Sequence, residues 1–271
     1  MSFLDPGLIF YFAILFLLGY VFYSVLYAVA ASTCSTSEDF QQIAFPLAMP
    51  VMLSFFFVFY VITNPGSTIT RIVSFFPPAT PLVMLARINV LRPPMWEIWL
   101  SILLMVAGNE TTRNGLSGGM QLLIENPEAR QRLIDDPSLI PVAIEEILRL
   151  VSPVLSFLRT ATQDTDLRSV PIKKGEKVLM MYGSANRDAD AFENPEVFDI
   201  DRNPHHVAFG IGNHFCLGAN LARMELRVAL QELLRRLPDI EYAANGPEMG
   251  SSALVRSVQH MHVKFTPESA D

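Results

Sequence analysis

The feature that most constrains this chain is the way its charge is distributed. Residues 1–105 carry three basic side chains (Arg71, Arg87, Arg92) and four acidic ones (Asp5, Glu38, Asp39, Glu97), out of 20 and 27 in the whole 271-residue chain. Within that stretch, Leu8–Ala31 and Ala44–Thr63 are uncharged and apolar. A bilayer core takes about 20 apolar residues at 1.5 Å rise each, and both runs are long enough. The start, MSFLDPG, has no basic segment, and the first run is longer than a secretory signal requires, so the reading is a retained membrane helix. Ser32–Gln42 reads as a polar loop between the two runs. Pro65, Pro77, Pro78, Pro81, Pro93 and Pro94 break any long helix over Asn64–Pro94, and the apolar stretch Ser74–Ala86 is expected to lie along the membrane interface. Met95–Val106 opens a third apolar segment, with Trp96 and Trp99 spaced as interfacial anchors.

Beyond residue 105 the composition is that of a charged soluble protein. The net charge of −7 and the lack of basic patches speak against nucleic-acid binding. Two cysteines, Cys34 and Cys216, make no disulfide framework.

Cys216 sits in Phe209–Arg223, FGIGNHFCLGANLAR, among Gly210, Gly212 and Gly218, with a helical run to Leu237 directly behind it. A lone cysteine is ordinarily inert packing. A cysteine in this setting has another use. Its thiolate can ligate iron, glycines let the backbone approach a flat ring closely, and the free N–H groups of a helix start favour an anion. The block resembles the haem-binding loop of the cytochrome P-450 family, F-G-x-G-x-H-x-C-x-G-x-x-x-A, matched by Phe209, Gly210, Gly212, His214, Cys216, Gly218 and Ala222.

Other blocks agree in order and spacing. Val106–Met120, VAGNETTRNGLSGGM, could be a helix start capped by Asn109 or Thr111. It also resembles the family's oxygen-activating motif A-G-x-[DE]-T-T, which implies proton delivery by Glu110 and Thr111 and room for oxygen beside Ala107 and Gly108. Glu146 and Arg149, in PVAIEEILRLV, are three apart and share a helix face, either as a weak surface pair or as the family's E-x-x-R motif. The resemblance implies a buried network completed by Arg202. Arg159 and His214 match contacts to the haem propionates, although His214 could equally be a plain surface histidine. Lys177–Met181 reads as a strand entered by a turn at Gly175, and Asn186–Arg202 as a polar meander. Glu241–Thr266 reads as strands joined by a long turn. His260 and His262 share one side of a strand without a third metal ligand in evidence.

This resemblance covers about residues 103–266 and is sharpest to bacterial sterol- and lipid-oxidising members. The long segment that precedes the oxygen-activating helix in the family is not found upstream of Val106. Instead STSEDFQQ, the Asn64–Pro65 pair, RIVSFFPP, the Ala86–Arg87 pair and PMWEIWLS resemble the C-terminal membrane portion of ABC-2-like export permeases of the sodium-efflux type, over about residues 20–104. No G-x-x-x-x-G-K-[ST] loop occurs, so an ATPase would be a separate partner.

The expected fold is mainly α: N-terminal transmembrane helices (1–104), then the mostly helical C-terminal half of a cytochrome P-450 fold with small β-sheets (105–271). The implied function is a haem-thiolate monooxygenase, incomplete in its fold, inserting one oxygen atom from dioxygen into an apolar, sterol- or lipid-like substrate. Haem b (iron protoporphyrin) would be ligated by Cys216. The expected partners are a ferredoxin or other reductase, membrane lipid and a separate ABC ATPase, with no nucleic acid. Two alternatives stand beside it: an export permease subunit with a vestigial soluble tail, and a non-functional chimera. The location is a membrane crossed two to three times. The positive-inside rule applied to Arg71, Arg87 and Arg92 favours the far side for the soluble part, whereas cytoplasmic reductants favour the cytoplasm, which is the reading adopted.

Overall fold

In the computed structural model, residues 6–32 and 37–266 are described; Cys34 and most of the N-terminal MSFLDPG stretch lie outside them. The chain divides into two compact units, which part between Glu110 and Thr111, inside one helix.

The first unit begins with α1 (Pro6–Ser32) and α2 (Ser37–Thr63). Ser37–Gln42, expected in a loop, belongs to α2, because Ser37, Glu38 and Asp39 suit a helix start better than an open connection. The segments Pro6–Ser24 and Ala44–Thr63 are long and apolar enough to cross a membrane. Their apolar side chains mostly face outward: Phe16, Leu17, Phe55, Phe56 and Phe59 are each more than half exposed. Pro46 and Pro50 lie within α2, and the Ser54 hydroxyl donates to the Pro50 carbonyl at 2.6 Å.

Between α2 and the next long helix, the prolines leave two short helices, α3 (Thr68–Val73) and α4 (Thr80–Val90). The stretch Ser74–Ala86, expected along an interface, is partly buried against protein. Ser74, Thr80, Val83 and Met84 are buried, and α4 packs on both α1 and α2. Sequence hydropathy could not separate an interfacial stretch from a buried one, since both are apolar. Gly19 makes the seat: a Cβ there would lie 2.8 Å from the Pro81 ring. The Tyr23 hydroxyl donates to the Pro78 carbonyl at 2.6 Å. Leu15, Met84, Ile88, Ile98 and Ile102 form the unit's main core. Buried beside it, Arg87 pairs with Glu97 at 2.8 Å, and half-exposed Arg71 reaches the other Glu97 oxygen at 2.8 Å. Trp96 and Trp99 are both half exposed.

The third apolar run does not stop at Val106. It continues unbroken as α5 (Met95–Glu125), so Asn109 and Thr111 cap nothing.

The second unit packs the end of α5 with α6 (Pro127–Asp135), α7 (Ile140–Val151) and α9 (Ala219–Arg236). Leu123, Leu133, Ile144, Ile147, Leu226 and Leu230 are central to its core. Gly118 and Gly119 let α5 approach α7 closely: a Cβ at Gly118 would sit 2.6 Å from Val151, and one at Gly119 2.9 Å from Ile147. The strands are β1 (Ser156–Thr160), β2 (Thr165–Leu167), β3 (Val170–Ile172), β4 (Lys177–Met181), β5 (Glu241–Tyr242), β6 (Glu248–Met249), β7 (Val258–His260) and β8 (Val263–Lys264). They form four antiparallel pairs, β1–β4, β2–β3, β5–β8 and β6–β7. Gly175, at φ +90°, makes the turn into β4. A short helix, α8 (Tyr182–Ala185), leads from β4 into the meander. The fold is thus mainly helical with small sheets.

Candidate functional site

The site is built from the loop ahead of α9. The Cys216 N–H donates to the Phe209 carbonyl at 2.9 Å, and the Phe215 N–H donates to Gly212 at 3.0 Å, which curls the loop back on itself. Gly210 and Gly212 have φ of +71° and +63°, a region that glycine enters without strain. A Cβ on Gly212 or Gly218 would meet nothing within 4 Å. Gly218 is the residue ahead of α9, so the helix starts three residues past the cysteine, at Ala219, and Leu217, expected inside the helix, lies outside it. Cys216 is exposed. It is therefore not the buried packing group that a lone cysteine usually is.

Around the sulfur the surface is apolar. Ile211, Phe215 and Leu217 are 73%, 53% and 92% exposed. Leaving three large apolar side chains in water beside one thiol is costly unless something flat covers them. Arg159, half-buried on β1, donates only to its neighbour's carbonyl (Leu158, 3.2 Å) and lies 5.9 Å from the Phe157 ring. His214 is exposed. Neither has a carboxylate partner among the described residues, so both remain available to the acidic edge of a ligand. A soft thiolate, an apolar open rim and two cation-capable side chains suit a haem with its propionates.

Under the loop are two ionic clusters. In the first, Glu146 and Arg149 are fully buried. Arg149 Nε and Nη2 donate to the two Glu146 oxygens at 2.7 and 2.8 Å, and Arg202 Nε reaches Glu146 at 3.2 Å. Arg149 also donates to the carbonyls of Asn186, Pro195 and Val197. The pair is therefore not on the surface: it ties α7 to the meander.

Sequence reasoning missed the second cluster. Arg223 grips Glu145 with two hydrogen bonds of 2.7 and 2.8 Å, and His206 meets Glu145 at 3.1 Å. The Arg223 guanidinium lies 4.6 Å from the centre of the Phe209 ring, which in turn touches Phe215. Burial acts to raise the Glu145 pKa, but the hydrogen bonds from Arg223 and His206 outweigh it and hold the carboxyl down at about 2. The hydrogen bond to Glu145 is the chief cause that raises the Arg223 pKa. The missed signal was the doubled acid at Glu145–Glu146, one residue for each cluster. Asn186 was missed as well: its side chain bridges Ser152, at the end of α7, to the Val207 N–H.

On α5, Ala107 and Gly108 are exposed and Glu110 is half-buried, at the end of the first unit. Thr111 opens the second. Its neighbour Thr112 hydrogen-bonds Glu225 of α9, a carboxyl whose pKa burial raises. Ala222 lies one turn into α9. His260 and His262 stack, with centroids 6.3 Å apart.

The family model for cytochrome P450 matches residues 99–238. The chain belongs to the cytochrome P450 family. A model for the ABC-2 family transporter protein matches residues 1–108. The steroid C26-monooxygenase of Mycolicibacterium smegmatis is 44% identical over 171 residues, 62% of this chain and 43% of that protein. The methyl-branched lipid omega-hydroxylase of Mycobacterium bovis is 47% identical over 61% of this chain and 39% of its own length. Among solved structures, CYP109E1 from Bacillus megaterium in complex with corticosterone is 34% identical, with a TM-score of 0.63, over 85% of this chain and 60% of that one. This P450 spans less than half the length of the curated relatives it matches. Membership of the P450 family implies a haem cofactor.

Proposed function

We propose that the chain is a membrane-anchored haem-thiolate monooxygenase-like protein that inserts one oxygen atom from dioxygen into an apolar, sterol- or lipid-like substrate. The observation that carries this reading is the exposed Cys216, held in a glycine-curled loop at the head of α9 and ringed by open apolar side chains. When bound, the haem supplies dioxygen activation and oxygen-atom transfer. Cys216 Sγ is the iron ligand, and Phe209, Gly210, Gly218 and Ala222 shape the loop that holds it. Arg159 and His214 receive the propionates. The cofactor is taken as haem b, the form that the resemblance of the cysteine loop to the cytochrome P450 family implies. Glu110 and the Thr111 hydroxyl handle the protons, and Ala107 and Gly108 keep their helix face free of bulk. Glu146, Arg149 and Arg202 fix the meander that leads into the loop.

Electrons come from a ferredoxin or another reductase. The names of the relatives, a steroid monooxygenase and a lipid hydroxylase, support an apolar substrate. We place the join between the two parts at 104/105, inside the interval 99–108 that both family matches share. Membrane association is supported by the two apolar helices and the ABC-2 match; we assign two to three crossings, with lipid around them and the P450 part on the cytoplasmic side.

The test is spectroscopic. The chain, loaded with haem, reduced and exposed to carbon monoxide, is expected to give the thiolate-type Soret band, and Cys216→Ala is expected to abolish it. Haem retained without that band would overturn the reading.

A second reading rests on the ABC-2 match itself: residues 1–108 as part of an export permease working with a separate ATPase. Relief of an efflux defect by the full chain and by its Cys216→Ala variant alike would favour it.

A further inference from the structure

The first unit holds a charged cluster that neither reading of the function uses. Over residues 40–109 the chain has three arginines, Arg71, Arg87 and Arg92, and a single carboxylate, Glu97. Both Glu97 oxygens face arginine: Oε2 lies 2.8 Å from Arg87 Nη2, and Oε1 accepts from Arg71 Nη2 at 2.8 Å. Arg87 is 1% exposed and also donates to the Ser74 hydroxyl at 2.8 Å and the Pro65 carbonyl at 3.3 Å. A guanidinium buried that deeply needs a full counter-charge, so Glu97 is committed to Arg87. Arg71 is then the surplus cation. Its side chain is 47% exposed, and no carboxylate but Glu97 pairs with it among the described residues.

The cluster sits at one end of the unit, where the turn after α2, α3, the last turn of α4 and the first turn of α5 meet. The surface beside it is apolar. Ile69, Ile72 and Phe76 flank Arg71 along the chain, Met95 and Trp96 precede Glu97, and all five are more than half exposed. Trp96 stacks on Phe75, with ring centroids 6.4 Å apart, which ties the start of α5 to the exit of α3. Water suits the guanidinium but not this rim, and bare hydrocarbon suits the rim but not the guanidinium. Free phosphate would satisfy Arg71 and leave the rim uncovered. A zwitterionic lipid brings its own cation to its phosphate. A lipid with apolar chains and a net negative head matches both features. We propose that Arg71, with the rim of Ile69, Ile72, Phe76 and Trp96, is a binding site for an anionic phospholipid: the phosphate lies on Arg71 and an acyl chain runs along the rim. Arg87 and Glu97 are its positioning residues, since Arg87 fixes the carboxylate that holds Arg71 by one nitrogen. This rests on the membrane reading of the first unit and adds to it a choice of lipid.

The chain has two tryptophans, Trp96 and Trp99, so its fluorescence reports on this site. The experiment places the full chain in phosphatidylcholine vesicles that hold a minor share of lipid with brominated acyl chains, which quench tryptophan on contact. The bromine is carried either on phosphatidylglycerol or on phosphatidylcholine. Brominated phosphatidylglycerol is expected to quench with about fivefold preference, the equivalent of about 1 kcal/mol for one basic side chain near anionic lipid. Arg71→Gln should erase the preference and Arg71→Lys should keep it. Arg92→Gln, which removes the same charge elsewhere in the stretch, should keep it too. The comparison in the parent chain needs no variant, so it decides the matter even if Arg71→Gln fails to fold. Equal quenching by the two lipids overturns the proposal. So does an equal loss in Arg92→Gln, which would mean diffuse attraction, or reversal by inorganic phosphate but not by potassium chloride of the same ionic strength, which would mean a site for the free anion. Quenching by neither lipid sinks the membrane reading along with the proposal, whereas equal quenching by both leaves that reading standing and sinks the proposal alone.

Discussion

At the scale of single residues, the two acids of α7 divide the labour under the loop. Glu146 is buried with Arg149, and each neutralises a charge that could not otherwise be kept out of water. Removing one member of a buried pair typically costs about 3–5 kcal/mol, because the survivor stays buried and unpaired. Glu146→Ala should therefore lower the stability of the second unit by about that much, read from denaturant midpoints. Arg149→Lys should do nearly as badly, since one ammonium cannot serve two carboxylate oxygens and three carbonyls at once. Glu145 has a different signature. Its folded pKa, about 2, is below the ordinary carboxylate value of 4.5. A depressed carboxylate contributes stability that is present above its unfolded pKa and is lost as pH falls toward the folded one. Stability should thus decline between about pH 4.5 and 2, and Glu145→Gln should flatten that slope. An unchanged slope in the variant would show that other carboxyls dominate the acid transition.

At the scale of elements, what the sequence disclosed depended on whether the signal was local. The two apolar runs, the α7 pattern, the strand at Lys177–Met181 and the turn at Gly175 follow from periodicity and glycine chemistry within a few residues. The fate of Ser74–Ala86 did not, because burial between α1 and α2 is a tertiary fact that apolarity alone leaves open. The same holds at the site. The cysteine loop was legible as a motif, but Arg223 closing on Glu145 joins residues 78 apart, and no spacing rule reaches that far. Close helix packing is a further tertiary fact with a testable consequence. Gly118 has no room for a methyl group against Val151 on α7. Gly118→Ala should destabilise the second unit by about 1–3 kcal/mol, the usual cost of overpacking, despite the better helix propensity of alanine. Val151→Ala on the same chain should recover part of that loss. Equal stability of Gly118→Ala and the parent would mean that α5 and α7 are not in close contact there.

At the scale of the molecule, the chain holds two units whose cores are made by different chemistry. The first has outward-facing apolar helices around a small core and a buried Arg87–Glu97 pair; the second has a conventional helical core with the Glu146–Arg149 pair beneath the cysteine loop. Each unit has the contents of a cooperative unit, a core of its own and a buried ionic lock of its own. Thermal unfolding in detergent should therefore proceed in two transitions. Arg87→Leu strips Glu97 of its buried partner and should lower only the transition of the membrane-like unit. Glu146→Ala should lower only that of the P450 unit. In the double variant the two losses should add to within about 0.5 kcal/mol, as for sites with no shared partners. A single transition moved by both substitutions would show instead that α5, which runs through the division between Glu110 and Thr111, makes the whole chain unfold as one body.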